Sequence, residues 1–212
     1  MKKILVIMLT ALFCMGAAPV ITTTANAQTV KQLKKDAKKQ VKKYNKEGWT
    51  PINSTMSLDM LVAKYNTFLL ADEETHIGVI GNSVQASDKI GKNAAAMDAR
   101  AQYCARVSAE IVGKIKSLDS GSNGEEIDKF GEAFEQKINQ KLAGVIKDSF
   151  VLKRKSPDKK GMYEYQYFGT IDLTAVNKQA AAIAKETMDA YKLQSLSDQV
   201  ADFIGDAMNN AE

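Results

Sequence analysis

Residues 80–117 have the sequence IGNSVQASDKIGKNAAAMDARAQYCARVSAEIVGKIKS, which predicts the end of a strand, a turn and a long helix. The helix is expected to start near Asn93, or one turn earlier at Ser87. Small and apolar residues recur along it three and four positions apart, as they do on the buried face of an amphipathic helix. These residues are Ala94, Met97, Ala101, Cys104, Ser108, Ile111 and Ile115, with Ala105 and Val112 widening the face. We therefore expect this helix to be the packing centre of the domain, with Cys104 as a buried thiol.

The strand before this helix carries glycines, an arrangement that often binds phosphate at a helix N-terminus. Gly78, Gly81 and Gly91 do not have the spacing of a phosphate-binding loop, so they indicate close packing instead. His76, the only histidine, is interpreted as an exposed residue at the start of the strand. A hydrolase centred on His76 is the least favoured function, because no sequence motif pairs this histidine with a nucleophile.

The first 27 residues predict a secretory signal peptide that is not part of the fold. A basic start, an apolar run to Val20 and the small-x-small site Ala25-Asn26-Ala27 are typical of such peptides. The run is too short and wrongly flanked for a membrane span. Cys14 raises the alternative of an acylated lipoprotein, but Phe13 stands where a lipobox needs a small residue. We therefore expect cleavage after Ala27 and a location in the periplasm or at the periplasmic face of the outer membrane.

The sequence divides into a signal peptide (1–27), a basic N-terminal helix with a linker (28–56), and an α+β domain with a long C-terminal helix (57–212). The chain has 29 basic and 25 acidic residues, a net charge of +4. Lys2 and Lys3 lie in the signal peptide, and without them the excess falls to two. This balance alone argues neither for nor against nucleic acid as a partner, whereas the expected export argues against it.

Residues 28–47 predict a basic amphipathic helix, in which lysines such as Lys35, Lys39 and Lys42 surround a thin apolar stripe. One interpretation is a helix that lies on anionic lipid or on an acidic partner. The other, which the thin stripe favours, is a solvated helix docked on its own domain. Trp49, the only tryptophan, follows this helix and is interpreted as its buried anchor. An exposed stacking surface is the alternative role for Trp49.

The predicted fold is α+β, with a small, three-stranded, largely antiparallel sheet. Its strands are expected at 77–86, 146–155 and 162–173. Two long helices, at 93–117 and 174–192, are expected to cover one face of the sheet. The extra N-terminal helices are expected to pack at one end or to form an arm.

The last strand alternates apolar and polar residues, which places Tyr163, Tyr165 and Tyr167 on one face of the sheet. On a small sheet that carries helices, such a row usually belongs to the core or its rim. A ligand-binding surface made by the three rings is the alternative.

Sequence motifs for catalysis or metal binding are missing. A loop at 119–130 begins like an EF-hand, but Gly121 and Phe130 occupy positions where calcium ligands are needed. No phosphate-binding loop, nucleophile elbow or histidine–cysteine cluster is found. We therefore expect no metal, no cofactor and no enzymatic activity.

Three elements in order carry a resemblance to a known family. They are residues 42–49 (KKYNKEGW), which close a basic helix just after the signal peptide; a strand with Gly81 before an alanine-rich helix; and a late hairpin before a long terminal helix. Together they resemble a family of uncharacterised exported proteins of Bacteroidota. The central segment is similar to the twenty-kilodalton outer-membrane lipoprotein family and to the amino-terminal domain of flagellar assembly protein T. The resemblance covers nearly all of the mature chain and implies a small α+β domain of the cell envelope that serves association rather than catalysis.

The sequence thus predicts an exported structural or assembly protein that acts by interaction. The expected partner is an envelope protein or a second copy, bound through helices, with a weak contact to an anionic membrane surface. The alternative is a small-ligand or glycan-binding module that uses Trp49 and the row Tyr163, Tyr165 and Tyr167.

Overall fold

The computed structural model describes residues 30–118, 124–141 and 144–191 of the chain. Within these residues lie five helices and four strands, which confirms the predicted α+β class. The helices are α1 (Val30–Lys46), α2 (Leu58–Ala71), α3 (Asp88–Leu118), α4 (Gly124–Lys141) and α5 (Leu173–Ala190). The strands are β1 (Thr50–Pro51), β2 (His76–Gln85), β3 (Lys147–Lys155) and β4 (Tyr163–Asp172).

The sheet is antiparallel throughout and has the order β1-β3-β4-β2. The prediction of three strands was therefore wrong by one. Thr50 and Pro51 pair with Lys153 and Leu152, which adds β1 at the edge next to β3. A pair this short carries no alternating pattern, and proline has no backbone N–H to donate, so this edge strand could not be recognised from the sequence.

One face of the sheet is covered by α3, α4 and α5 around the larger core. The sheet contributes Val79, Tyr165, Tyr167 and Ile171 to this core. Helix α4 adds a row of four buried apolar side chains at helical spacing. They are Ile127, Phe130, Phe134 and Ile138. The expectation that two long helices cover this face was thus incomplete, because α4 is a third.

The opposite face of the sheet is covered by α1 and α2 around a smaller core. Phe150 and Phe168 project from this face and stack on each other, with ring centroids 4.3 Å apart. Tyr65 of α2 meets both rings edge-on, at 5.8 and 5.6 Å. The expectation that the N-terminal helices pack at an end or form an arm was wrong. They form a second helical layer, because the sheet carries large apolar side chains on both faces.

The first half of α3 turns a different side to the sheet from the one predicted. Ala95, Ala99 and Tyr103 are buried, whereas Met97 and Ala101 are exposed. A Cβ atom on Gly81 would collide with the backbone of Ala95 and Ala99, so the helix crosses β2 in van der Waals contact. The second half of α3 agrees with the predicted central stripe, but Ala105, which was expected to widen it, is exposed. Its buried residues include Cys104, Ser108, Ile111 and Ile115.

Side chains cap the N-termini of α2 and α5. Ser57 caps α2, because its side chain accepts a hydrogen bond from the Met60 nitrogen. The cap of α5 is Asp172, whose Oδ1 accepts a hydrogen bond from the Thr174 nitrogen at 3.0 Å. The signal peptide, the loop at 119–123 and the continuation beyond Tyr191 lie outside the described residues.

Candidate interaction surface

Helix α1 is docked on its own domain through its apolar side. Ala37 and Val41 are buried in the smaller core, and Tyr44 packs against it. The Tyr44 ring meets Phe168 edge-on at 6.1 Å. Burial, with a contribution from Glu47, raises the pKa of Tyr44 to about 12. The interpretation of α1 as a docked helix is therefore confirmed, and its apolar side is already covered.

The other side of α1 is a surface of exposed lysines, called here the lysine face. Its members are Lys35, Lys38, Lys39, Lys42, Lys43 and Lys46. At about 100° per residue these positions lie opposite Ala37, Val41 and Tyr44. Two acidic residues accompany this stretch of chain. Asp36 forms an ion pair with Lys39 at 3.6 Å, and Glu47 one with Arg154 at 3.6 Å.

Trp49 is a buried anchor rather than an exposed surface. Its side chain is only 7% exposed within the smaller core. The indole Nε1 donates a hydrogen bond to Glu47 Oε2 at 3.1 Å. The Arg154 guanidinium lies 4.5 Å from the ring centroid, within the range of a cation–π contact. The indole ring is thus held by apolar packing in the smaller core and by polar contacts with Glu47 and Arg154.

Two residues of the tyrosine row are core residues whose hydroxyl groups are already bound. Tyr165 donates a hydrogen bond to Asp88 Oδ1, and Tyr167 donates one to Asp148 Oδ1, both at 2.7 Å. Burial and these bonds raise the pKa of both hydroxyl groups. Tyr163 is half-buried, and the centroid of its ring lies 4.0 Å from the Lys153 ammonium.

The aromatic residues therefore do not form one binding surface. Trp49 belongs to the smaller core on one face of the sheet, whereas Tyr165 and Tyr167 belong to the larger core on the other. The interpretation of the tyrosine row as core is confirmed. The alternative, a glycan-binding surface made by Trp49 and the tyrosine row, does not agree with the structure. Stacking on a sugar requires ring faces open to solvent, and the rings of Trp49, Tyr165 and Tyr167 are buried.

His76 is half-buried at the start of edge strand β2, not exposed as expected. Its ring stacks on Phe68 with centroids 4.0 Å apart, and its Nδ1 lies 2.8 Å from the Phe68 carbonyl oxygen. The neighbouring Asp72 accepts a hydrogen bond from the Thr75 hydroxyl, which lowers the pKa of Asp72. These contacts join the end of α2 to the start of β2.

Two large apolar side chains of α3 are exposed, which the sequence pattern did not predict. Ile90 and Met97 are 58% and 67% exposed, although Met97 was predicted to be buried. Residues 94–103 carry two overlapping apolar patterns, one through Met97 and Ala101 and the other through Ala99 and Tyr103. The close contact with Gly81 favours the second pattern, and no periodicity within the helix reports that contact.

Comparisons with known proteins, made by family models, curated sequences and solved structures, give no match for this chain. Among the described residues, no three or more His, Cys, Asp or Glu side chains converge on a position for a metal ion. The same residues include no helix that is long and apolar enough to cross a membrane. The interpretation of the lysine face therefore depends on the charge of its lysines and on the burial of the opposite side of α1.

Proposed function

We propose that this chain is an exported, non-catalytic interaction protein of the cell envelope that binds an anionic surface through the lysine face of α1. One observation carries the proposal: six lysines stay exposed on a helix whose opposite side is fixed in the core. The signal-peptide pattern of residues 1–27 and the resemblance to exported Bacteroidota proteins support the location. The lack of sequence motifs for catalysis supports a role in association.

The docking of α1 limits how this surface would bind. An amphipathic helix normally binds lipid by inserting its apolar side, but Ala37 and Val41 are already buried in the protein. The remaining attraction is electrostatic, with about 1 kcal/mol for each lysine close to an anionic membrane. It decays over a Debye length of about 8–10 Å at physiological salt. Binding is therefore expected to be weak, reversible and sensitive to salt.

Sedimentation with lipid vesicles tests this proposal. We expect the chain from Gln28 onward to bind vesicles that contain phosphatidylglycerol, not to bind pure phosphatidylcholine, and to dissociate at about 0.5 M salt. Replacing Lys35, Lys38 and Lys42 with glutamate should abolish the binding.

A matched control separates the lysine face from net charge. Lys159, Lys160 and Lys185 are exposed elsewhere on the fold, and their replacement with glutamate changes the charge by the same amount. We expect this control variant to bind as the parent chain does. Equal loss of binding in both variants, or no binding by the parent chain, would contradict the proposal. Retention of an acidic envelope protein in place of vesicles would identify a protein surface as the partner.

The expected location has its own test. Expression of the full sequence in a host with a periplasm should give a periplasmic protein that begins at Gln28, as determined by N-terminal sequencing. A cytoplasmic protein that begins at Met1 would remove the envelope from the proposal but leave the vesicle result intact.

A further inference from the structure

Two large apolar side chains are exposed at the N-terminal end of α2. Met56 directly precedes the capping residue Ser57 and is 39% exposed, and Met60 lies in the first turn and is 59% exposed. The buried side of α2, which packs on the sheet, consists of Leu58, Leu61, Val62 and Tyr65. At about 100° per residue, Met60 lies on the opposite side of the helix. The Met60 side chain therefore points away from the sheet.

Helix α2 runs along the sheet towards the end of β4. Tyr65 meets the Phe168 ring edge-on at 5.6 Å. Phe68, one turn later in α2, stacks on His76, which pairs with the last residue of β4. The N-terminal end of α2, with Met60, therefore lies towards the start of β4.

Helix α1 runs in the opposite direction on the same face of the sheet. Its Tyr44 also meets the Phe168 ring, at 6.1 Å. Trp49, just beyond the end of α1, lies against Arg154, whose partner in the sheet is Glu164, the second residue of β4. The two helices are therefore antiparallel neighbours, and the lysine face of α1 points away from the sheet as Met60 does.

One hydrogen bond fixes how the two helices are aligned. Asn66 Nδ2 of α2 donates to Gln40 Oε1 of α1 at 3.1 Å. Six residues from Gln40 towards the C-terminus of α1 is Lys46, and six residues from Asn66 towards the N-terminus of α2 is Met60. In an antiparallel pair these two positions are level, each about 9 Å along its helix from the bond. The end of the lysine face and Met60 thus share one outer surface.

The charge of this outer surface comes from the lysine face. On α2, the exposed Lys64 is balanced by the exposed Asp59, the only acidic residue of that helix. An anionic lipid bilayer would offer headgroup phosphates to the lysines and, just below them, an apolar layer to the Met60 side chain.

We infer that the outer surface of α1 and α2 binds an anionic phospholipid bilayer, with the lysine face at the headgroups and Met60 inserted at the boundary with the acyl chains. The inference rests on the proposed function and adds an apolar contact to it. The lysine face spans about 17 Å from Lys35 to Lys46, so α1 would lie flat on the bilayer with Met60 beside its C-terminal end. Charge alone would suit any anionic surface, whereas the exposed methionine favours one with an apolar layer beneath its charges.

Replacement of Met60 with glutamine tests the apolar contact without a change of charge. Met60→Gln, in the chain from Gln28 onward, should bind phosphatidylglycerol vesicles about fivefold more weakly than the parent chain, because glutamine gains less from leaving water. Met97→Gln is the matched control. Met97 is 67% exposed on α3, which covers the opposite face of the sheet, and its replacement should leave vesicle binding unchanged.

Methionine oxidation gives a second readout in the unmodified chain. With peroxide and mass spectrometry, phosphatidylglycerol vesicles should slow the oxidation of Met60 at least about threefold, because the inserted side chain is shielded from water. The rate at Met97 should not change when the vesicles are added. Vesicles of pure phosphatidylcholine should alter neither rate.

The inference is overturned if the parent chain binds phosphatidylglycerol vesicles and Met60→Gln binds them equally well. It is equally overturned if Met60 oxidises as fast with bound vesicles as without them. Either result would leave the electrostatic binding of the lysine face intact. Failure of the parent chain to bind these vesicles would instead contradict the proposed function, and this inference with it.

Discussion

Gly81 of β2 lies directly against Ala99 of α3: a Cβ atom on Gly81 would be 2.8 Å from the Ala99 Cβ and still closer to the Ala99 nitrogen. The close approach allows Ala95 and Ala99 to be fully buried against the strand. The same contact turns Met97 and Ala101 outward. The relationship between these two residues therefore contributes both to the packing of α3 and to the outward position of Met97.

Replacement of Gly81 with alanine should strongly destabilise the fold. The added methyl would meet backbone atoms of α3, which cannot move aside as a flexible side chain does, so we expect a loss of about 3 kcal/mol or more. Urea unfolding followed by circular dichroism measures it. Gly113→Ala is the matched control. Gly113 lies in α3, and a Cβ atom at that position would have no packing neighbour within 4 Å. The control should be more stable by about 0.5–1 kcal/mol, and equal losses in the two variants would contradict the close-approach explanation.

Asp88 should stabilise the fold in a pH-dependent way. Hydrogen bonds from Lys153 and from the Tyr165 hydroxyl lower the pKa of Asp88 below its ordinary value of 3.8. The ionised carboxylate therefore favours the folded state above about pH 4, and this contribution is lost as the pH falls through the lowered pKa. Asp88→Asn should unfold at lower urea than the parent chain at pH 7, and the difference should shrink at acid pH.

An exposed aspartate provides the control for this pH dependence. Asp158 lies in the turn between β3 and β4 and is solvent-exposed. Asp158→Asn should change the urea midpoint little at either pH. A constant difference between Asp88→Asn and the parent chain across this pH range would show that the effect is not ionisation of Asp88.

Trp49 should report the docking of α1 through its fluorescence. It is the only tryptophan, it is buried, and it belongs to the same core as Val41. Val41→Asp would bury an unpaired charge, so we expect a loss of about 3 kcal/mol or more and a red shift of the emission. Asn45→Asp introduces the same charge at an exposed position of α1 and should leave the emission unchanged. An unshifted emission in Val41→Asp would argue against docking of α1 in solution.

Cys104 should react slowly with thiol reagents. It is 1% exposed between α3 and α4, and burial raises the pKa of its thiol, so little reactive thiolate is present. In the chain from Gln28 onward, the reaction with an aromatic disulfide reagent should be slow in native buffer and complete within minutes in denaturant. Rapid stoichiometric reaction of the native protein would contradict this placement of Cys104.

Much of the fold was predictable, because periodicity is a local property of the chain. The three long strands agree with the structure within one residue at each end, and α1, predicted within residues 28–47, spans Val30–Lys46. The lysine face was equally visible, since helical spacing alone separates the lysines of α1 from Ala37 and Val41. The burial of Cys104 followed from its position in the apolar pattern of α3.

The arrangement of these elements was less predictable. The hairpin strands have large apolar residues on both sides, and Phe168 gives no sign in the sequence that α1 and α2 will cover it. The aromatic residues of the alternative glycan site are easily seen in the sequence, but they do not form one group in the fold. Their separation into two cores depends on which helices cover each face of the sheet, and that is a long-range property.

By itself the sequence determined the α+β class, the three long strands and a helix with one lysine-rich side, because each depends on residues near one another in the chain. The signal peptide stays a prediction. Only the tertiary structure decided that the sheet carries helices on both faces, that Trp49 and Tyr165 are buried on opposite faces, and that Met97 faces outward. The first two depend on which helices cover each face of the sheet, a relation between residues far apart in the chain. For Met97 the physical reason is the contact between Gly81 and α3. Two apolar patterns compete along that helix, and the missing side chain of Gly81 on the preceding strand favours one of them, through a contact that the pattern within the helix does not report.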